Sequence, residues 1–497
     1  MTAIRGARGA LVGNYAALAV ALVSQLVLLP LLLTRLGTVG TSFFVVLWSA
    51  LNFAGTAVGW LSGGGTVMMT KAAADGDDVR LAALYRRFAR GMGIGAIGGW
   101  VLLTLWSLGV RRWWLRDIAV GDLTQVHVAV QGAGFYMLTL YLHQADLALL
   151  TARLEQVNVA LFRTALQVLM FAFGACGVIW GGGVGAMFVG YATAALLVSI
   201  AAHGLVRRTV WPRVQSGADH QSAPESGALS GFAAYSIVTS LLQYADTLVI
   251  AAFGGPGAVV LLAFVQRLPD AAVLLIGRSS ETLGPYYTVM AAAPDRGALQ
   301  RTYLTATRVV WRVAGVAGVG YAVFGRDVVQ WWSAGRLELP PEWFFVASGV
   351  VLVGTIVNRN AGLLAYYSGA PTAATRLLTW ELLLRVALAL ALVRHFGPTA
   401  PILAALAAQL AVLLAAYRRL ERDLLPVAPR EMLAGYVWPA VVTVAPVLLL
   451  MVSLRSVTTG AVRERGLALL GAALGAAVLL AFQERVLGRQ VFRRRRA

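Results

Sequence analysis

Apolar runs of about 20 residues recur along nearly the whole chain, and that is the length an α-helix needs to cross the hydrocarbon core of a bilayer. By this criterion residues 10–33, 41–62, 91–110, 126–150, 157–180 and 184–206 read as spans. After a polar break come 231–253, 259–278, 308–325, 343–367, 373–394 and 399–417. Two more, 433–453 and 466–484, bring the number to about fourteen. Of the 497 residues 59% are hydrophobic and 13% charged, against about 25% charged in a soluble domain. No water-soluble core hides so much apolar side chain. The expected class is therefore an all-α, polytopic integral membrane protein.

The spans are arranged as two loose copies, residues 36–87 and 253–303. Each opens on a glycine-punctuated turn, Leu36-Gly37-Thr38-Val39-Gly40 or Phe253-Gly254-Gly255-Pro256-Gly257. An apolar run follows, then an Ala-rich hinge with an Asp (Asp75, Asp295), then a basic amphipathic segment. The offset is about 217 positions, enough for a six-helix lobe and too long for a solenoid repeat. The implied domains are a six-helix lobe at 1–212, a Ser/Gly/Pro-rich linker at 213–230, a second lobe at 231–420, and an extra helix pair with a basic tail at 421–497. Two similar lobes in a membrane leave a path between them, the usual plan of a transporter. At the repeat offset Asp246 falls opposite Leu29, Arg267 opposite Ala50 and Asp270 opposite Phe53, so these charges are not duplicated.

The net charge of +19 sits in short loop clusters, with no basic domain, so no nucleic-acid partner is expected. With the N-terminus inside, the inner loops hold most of the arginines, including Arg86, Arg87, Arg207, Arg208, Arg418, Arg419 and the terminal run Arg493 to Arg496. Arg111, Arg112, Arg116, Arg455 and Arg463 are outer exceptions. An even number of spans returns the C-terminus to the inner side, so both termini are expected in the cytoplasm. The single Cys176 permits no intrachain disulfide.

Two strings imitate catalytic motifs. Gly93-Ile94-Gly95-Ala96-Ile97-Gly98 matches a dinucleotide fingerprint, yet it lies inside an apolar run, where close helix packing is the expected use. Asp75-Gly76-Asp77-Asp78 contains the Asp-x-Asp of metal-dependent glycosyltransferases, but Asp77 or Asp78 is better placed to cap the following helix. There is no Ser-His-Asp set, no His-Glu-x-x-His and no P-loop, and no loop has room for a catalytic domain. No enzyme activity, catalytic residue, metal or cofactor is expected.

Ionisable side chains inside spans carry the functional reading, since each is costly in lipid. Asp246 lies in the seventh span, Arg267 and Asp270 one turn apart in the eighth, Arg359 between Asn358 and Asn360 in the tenth, and Glu381 and Arg385 four apart in the eleventh. A cavity lined by arginine attracts an anion, and guanidinium suits phosphate or diphosphate. Arg267, Asp270, Arg359 and Arg385, with Asp246 as pairing group and Arg35 at the outer end of the first span, are the candidate substrate site. Asp246, Asp146, His143 and Glu381 are the candidates for proton coupling. His143 and Asp146, one turn apart in the fourth span, read either as a proton relay or as a hydrogen-bonded structural pair.

Ala245-Asp246-Thr247-Leu248-Val249-Ile250, Gly254-Gly255 and Ala263-Phe264-Val265-Gln266-Arg267-Leu268 resemble the oligosaccharide–lipid flippases of the Wzx type, in the superfamily of multidrug exporters and lipid II flippases. Asn14, Pro30, Leu36-Gly37 and Gly40-Thr41-Ser42-Phe43-Phe44 carry the first-lobe version. The aromatic often placed after the family's glycine turn is Leu261 or Phe264 here, and the extra C-terminal pair is closer in outline to lipid II flippases. The resemblance implies alternating access in the plasma (inner) membrane, moving a polyprenyl-diphosphate-linked glycan to the outer leaflet for surface polysaccharide such as lipopolysaccharide or exopolysaccharide. Its implied partners are that glycan, membrane lipids, a polysaccharide polymerase and glycosyltransferases. The alternatives are a lipid II-type flippase or multidrug exporter and, in another class, a membrane polymerase or glycosyltransferase.

Overall fold

The computed structural model describes residues 2–113, 123–153, 155–209, 226–282, 287, 290–291, 297–368, 370–410, 414–425, 430 and 437–457. The expected span at 466–484 and the linker residues 213–225 lie outside them. Among the described residues the regular structure is helical, without strands. Seven of these helices are long and apolar enough to cross a membrane. The chain is a multi-pass helical membrane protein.

The division into two compact units falls between Ala263 and Phe264. The first unit contains α1 (Thr2–Ala74), α2 (Asp78–Trp113), α3 (Leu123–Ala152), α4 (Gln156–Ile179), α5 (Gly183–Thr209), α6 (Ser226–Phe253) and the start of α7 (Gly255–Thr282). The second holds the rest of α7, then α8 (Gly297–Trp332), α9 (Glu342–Tyr367), α10 (Pro371–Phe396), α11 (Ala400–Ala408), α12 (Leu414–Leu424) and α13 (Trp438–Val457).

The two glycine turns form as the repeat requires. Within α1, Gly37 sits at φ 66°, ψ −170°, and divides two helical limbs. Gly255, at φ 74°, starts α7 directly after α6. Positive φ costs a side chain about 1–2 kcal/mol, which is why glycine stands at both corners. After the first corner the hydroxyls of Thr41 and Ser42 return to the carbonyls of Gly37 (2.7 Å) and Val39 (2.7 Å). These are local bonds back to carbonyls of the turn below, the usual use of a hydroxyl inside a helix.

The basic amphipathic segments are not separate elements, as the repeat pattern suggested. Arg80 to Arg90 form the first turns of α2, and Arg301 and Arg308 lie in the early turns of α8. No proline interrupts either junction, so each helix runs straight from its basic face into its apolar span. In α2 the opposite face of these turns, Leu81, Leu84, Tyr85, Phe88 and Met92, is buried with Leu149 and Leu150 of α3. Asp77 caps α2, its Oδ1 accepting the Arg80 amide at 2.8 Å, as the sequence predicted. Asp78 pairs instead with Arg153 at the end of α3.

The Gly93–Gly98 string lies in mid-helix, which removes the dinucleotide reading. Packing is not its use throughout either. A Cβ at Gly98 would meet open space and one at Gly93 would touch Leu142 of α3 at 3.8 Å, while the neighbouring Gly99 abuts the Ala54 carbonyl and Met137. Close approach occurs elsewhere, at Gly190 against Phe173 O and at Gly318 against Gly349 O, each 2.7 Å from where a Cβ would stand. Small residues at such crossings let helix backbones pack by van der Waals contact in lipid.

After α11 the backbone is still helical at Gln409, whose Nε2 donates to Val351 O (3.2 Å) and Thr355 Oγ1 (3.0 Å) on α9. α13 packs on α8 through Val447 and Met451 against Val323 and Phe324. Arg455 closes that contact with ion pairs to Glu342 (2.6 Å) and Asp327 (3.6 Å).

Candidate functional site

Each unit has one polar cluster at its base, the end where its amphipathic helix begins. In the first unit Tyr85, on the buried face of α2, donates its hydroxyl to Asp146 Oδ1 on α3 at 2.6 Å. His203 of α5 meets the same oxygen through Nδ1 at 3.3 Å. The Asp146 side chain is 4% exposed and that of His203 46% exposed, so the carboxylate is sealed while its partner lies at the surface of the unit.

In the second unit Tyr303, early in α8, donates to Glu421 Oε1 on α12. Arg418, one turn before Glu421, binds Oε2 at 2.6 Å and lies 6.0 Å over the Trp311 ring. Glu421 is 1% exposed. A buried carboxylate is tolerable only when paired and hydrogen-bonded, and both oxygens here are engaged. Burial, reinforced by the adjacent Glu421, holds the Tyr303 phenol far above its usual range, so it stays a donor. The same helix α12 sends Tyr417 to Glu381 Oε2 on α10 at 3.3 Å.

The expected site residues divide between these clusters and the spans. The pair expected of His143 and Asp146 does not form. Three residues apart, they point to different neighbours: Asp146 to α2 and α5, His143 to Phe162 on α4. His143 is buried with neither ring nitrogen hydrogen-bonded. Asp246 is buried in α6. Arg267 and Asp270 are half-buried on α7 either side of Pro269, with Tyr321 of α8 within electrostatic reach of Asp270. Tyr321 itself donates to Val265 O at 2.5 Å.

On α9, Arg359 is half-buried between two buried amides. Asn360 donates to Thr307 Oγ1 at 2.9 Å, while both amide atoms of Asn358 lack hydrogen-bond partners. Glu381 is buried on α10 with Arg385 within electrostatic reach one turn later, and Tyr417 is its hydroxyl donor. Arg35 is exposed beside the Gly37 kink. Among the described residues no group of three His, Cys, Asp or Glu side chains is placed to hold a metal.

Sequence reasoning missed Tyr85, His203, Tyr303, Arg418 and Glu421. Tyr85 and Tyr303 lie within the basic segments of the two copies, which is the one signal that could have found them.

No protein-family model and no curated protein matches the chain by sequence. Solved structures do match. A structure described as the lipid II flippase MurJ in an inward closed conformation superposes with a TM-score of 0.67 at 10% identity, covering 96% of this chain and 99% of that one. An inward-facing MATE multidrug-resistance transporter of the MOP superfamily gives 0.53 at 12% identity, over 84% and 99%. A Vibrio cholerae MATE transporter gives 0.56 at 15% identity, over 85% and 99%. The chain therefore has the MOP-type transporter fold.

Proposed function

We propose that this chain is a membrane flippase that carries a polyprenyl-diphosphate-linked oligosaccharide from the inner to the outer leaflet by alternating access, in surface polysaccharide assembly. The observation that carries the reading is a MOP-type fold in which Arg267 and Arg359 lie half-buried on two of the helices long and apolar enough to cross a membrane, with Arg385 half-buried on α10. Such side chains are retained in lipid only at a cost, and a diphosphate answers guanidinium groups bidentately. A transporter of cationic drugs needs the opposite charge balance.

In this reading Arg267, Arg359 and Arg385 meet the diphosphate, with Asp246 and Asp270 as pairing groups and Arg35 at the entrance. Asp246, Asp146, His143 and Glu381 are the groups for proton coupling. The two lobes divide at the 213–230 linker, and the plasma (inner) membrane holds the protein with both termini in the cytoplasm. A polysaccharide polymerase and glycosyltransferases act beside it.

Replacing Arg267 with Ala tests the assignment in a host that depends on this chain for its surface glycan. Export should stop, with lipid-linked oligosaccharide accumulating inside and the protein still present in the membrane. Surface glycan at the wild-type level would sink the assignment. Loss of chain growth with translocation intact would move it to the polymerase class.

A further inference from the structure

The two base clusters are clasps in one register. Tyr85 and Tyr303 are 218 positions apart (303 less 85), as are His203 and Glu421 (421 less 203) and the corners Gly37 and Gly255 (255 less 37). Their surroundings differ. Around the first clasp, exposed arginines stand on both of the helices it ties: Arg86, Arg87 and Arg90 in the early turns of α2, Arg207 and Arg208 at the end of α5. Arg207, one turn after His203, lies within electrostatic reach of Tyr85. At the equivalent positions the second unit holds Leu304, Thr305, Arg308, Leu425 and Pro426, and the two leucines join the apolar cluster around Tyr303. That base has arginines of its own, but Arg418 is locked on Glu421 and Arg422 is followed by the exposed Asp423. The patch is not duplicated.

The five arginines also share one level. Between Arg90 and Arg111 α2 has no charged side chain, and the 21 steps (111 less 90) rise about 31 Å, the thickness of a bilayer's hydrocarbon core. Arg90 therefore marks the hydrocarbon boundary, with Arg86 and Arg87 about 4–6 Å beyond it, among the headgroups. α5 carries no Asp, Glu, Lys or Arg from Gly183 to Val206, so Arg207 and Arg208 are the first such charges past its apolar run. The acids of this end are engaged elsewhere. Asp146 is buried in the clasp, Asp77 caps α2, Asp78 pairs with Arg153, and Glu155 accepts Asn158 Nδ2 at 2.9 Å. Asp75 stands in the turn before α2.

We propose that this patch binds an anionic phospholipid of the surrounding bilayer, its phosphate held between the guanidinium groups of α2 and α5. Guanidinium meets phosphate through bidentate, charge-assisted hydrogen bonds. A cluster of four to eight cations at the membrane end of a helix suits an anionic lipid surface, each cation adding about fivefold to the affinity. The clasp supplies the geometry, since Tyr85, Asp146 and His203 hold the two basic helix ends together. Like charges so held repel, and a bound headgroup relieves them. The ligand is a resident lipid of the membrane, whatever the cargo is.

Binding of a fluorescent phosphatidylglycerol to the full-length protein in an uncharged detergent tests the site. Binding should saturate and should resist excess phosphatidylcholine and excess inorganic phosphate. Arg86→Gln combined with Arg207→Gln should weaken it about 25-fold, fivefold for each cation removed. Arg87→Gln combined with Arg208→Gln should act alike, so the outcome does not hang on the folding of one variant. Arg301→Gln combined with Arg419→Gln, which takes exposed cations from the second unit's base, should bind as the wild type does. Displacement by phosphatidylcholine, displacement by inorganic phosphate, wild-type affinity in both first-unit pairs, or an equal loss in the second-unit pair would each overturn the proposal.

Discussion

The base of the first unit and the base of the second solve one problem with different helices. Both bury the amphipathic start of a long helix, and both must give a tyrosine hydroxyl an acceptor. The first takes it from Asp146 on α3, beside a half-exposed histidine; the second takes it from Glu421 on α12, locked by Arg418. What the repeat preserves is a pocket and its donor, and the acceptor needs only to reach the same point in space. The difference also divides the labour. The half-buried arginines on which the transport reading rests, Arg267, Arg359 and Arg385, belong to the second unit, whose base is the better sealed.

Glu421→Ala should produce the largest effect on stability. It strands the largely buried Arg418 guanidinium and the Tyr303 hydroxyl together, at a cost of about 3–5 kcal/mol. Asp146→Ala leaves a hydroxyl and a half-exposed imidazole, and should cost about 1–3 kcal/mol. Thermal unfolding of both variants in one detergent ranks them, and a larger loss from Asp146→Ala would break the comparison. Next come the corners: Gly37→Ala and Gly255→Ala each force a side chain to positive φ, for about 1–2 kcal/mol, and the two should match if the repeat is structural.

Tyr85→Phe and Tyr303→Phe should be smaller, about 1–2 kcal/mol, with the second the larger because the acceptor it abandons is more deeply buried. Smallest is Arg455→Ala, about 0.5 kcal/mol, since its pairs with Glu342 and Asp327 are partly exposed. Its effect should shrink further in high salt. A salt-independent loss of several kcal/mol would mean that this contact, and not apolar packing, holds α13 to α8.

The helices were legible because a bilayer imposes a length and a composition on each of them: the expected spans up to 373–394 fall within α1 to α10, and seven helices are long and apolar enough to cross a membrane. Gly37, Gly255 and the Asp77 cap were legible because local backbone chemistry dictates them. The clasps were not. Tyr85 and Asp146 are 61 residues apart and Tyr303 and Glu421 are 118 apart, and a hydroxyl's partner across such distances leaves no local pattern. Glu421 lies in the same short stretch as Arg418 and Arg419, where the sequence shows a charged loop and no sign of a buried carboxylate. His143 and Asp146 misled by the reverse route: a one-turn spacing brought them together on paper, while the neighbouring helices drew their side chains apart. Intramembrane charges could be found by composition, but which helix answers each one depends on packing.

The central claim is that the cargo is an anionic lipid diphosphate. The direct measurement is translocation by the purified protein in proteoliposomes, scored with a fluorescent polyprenyl-diphosphate oligosaccharide and, in parallel, with a lipophilic cationic dye. The account predicts movement of the lipid-linked glycan, loss of that movement in Arg267→Ala and Arg359→Ala, and no transport of the dye. Transport of the dye with the glycan lipid left in place would contradict it.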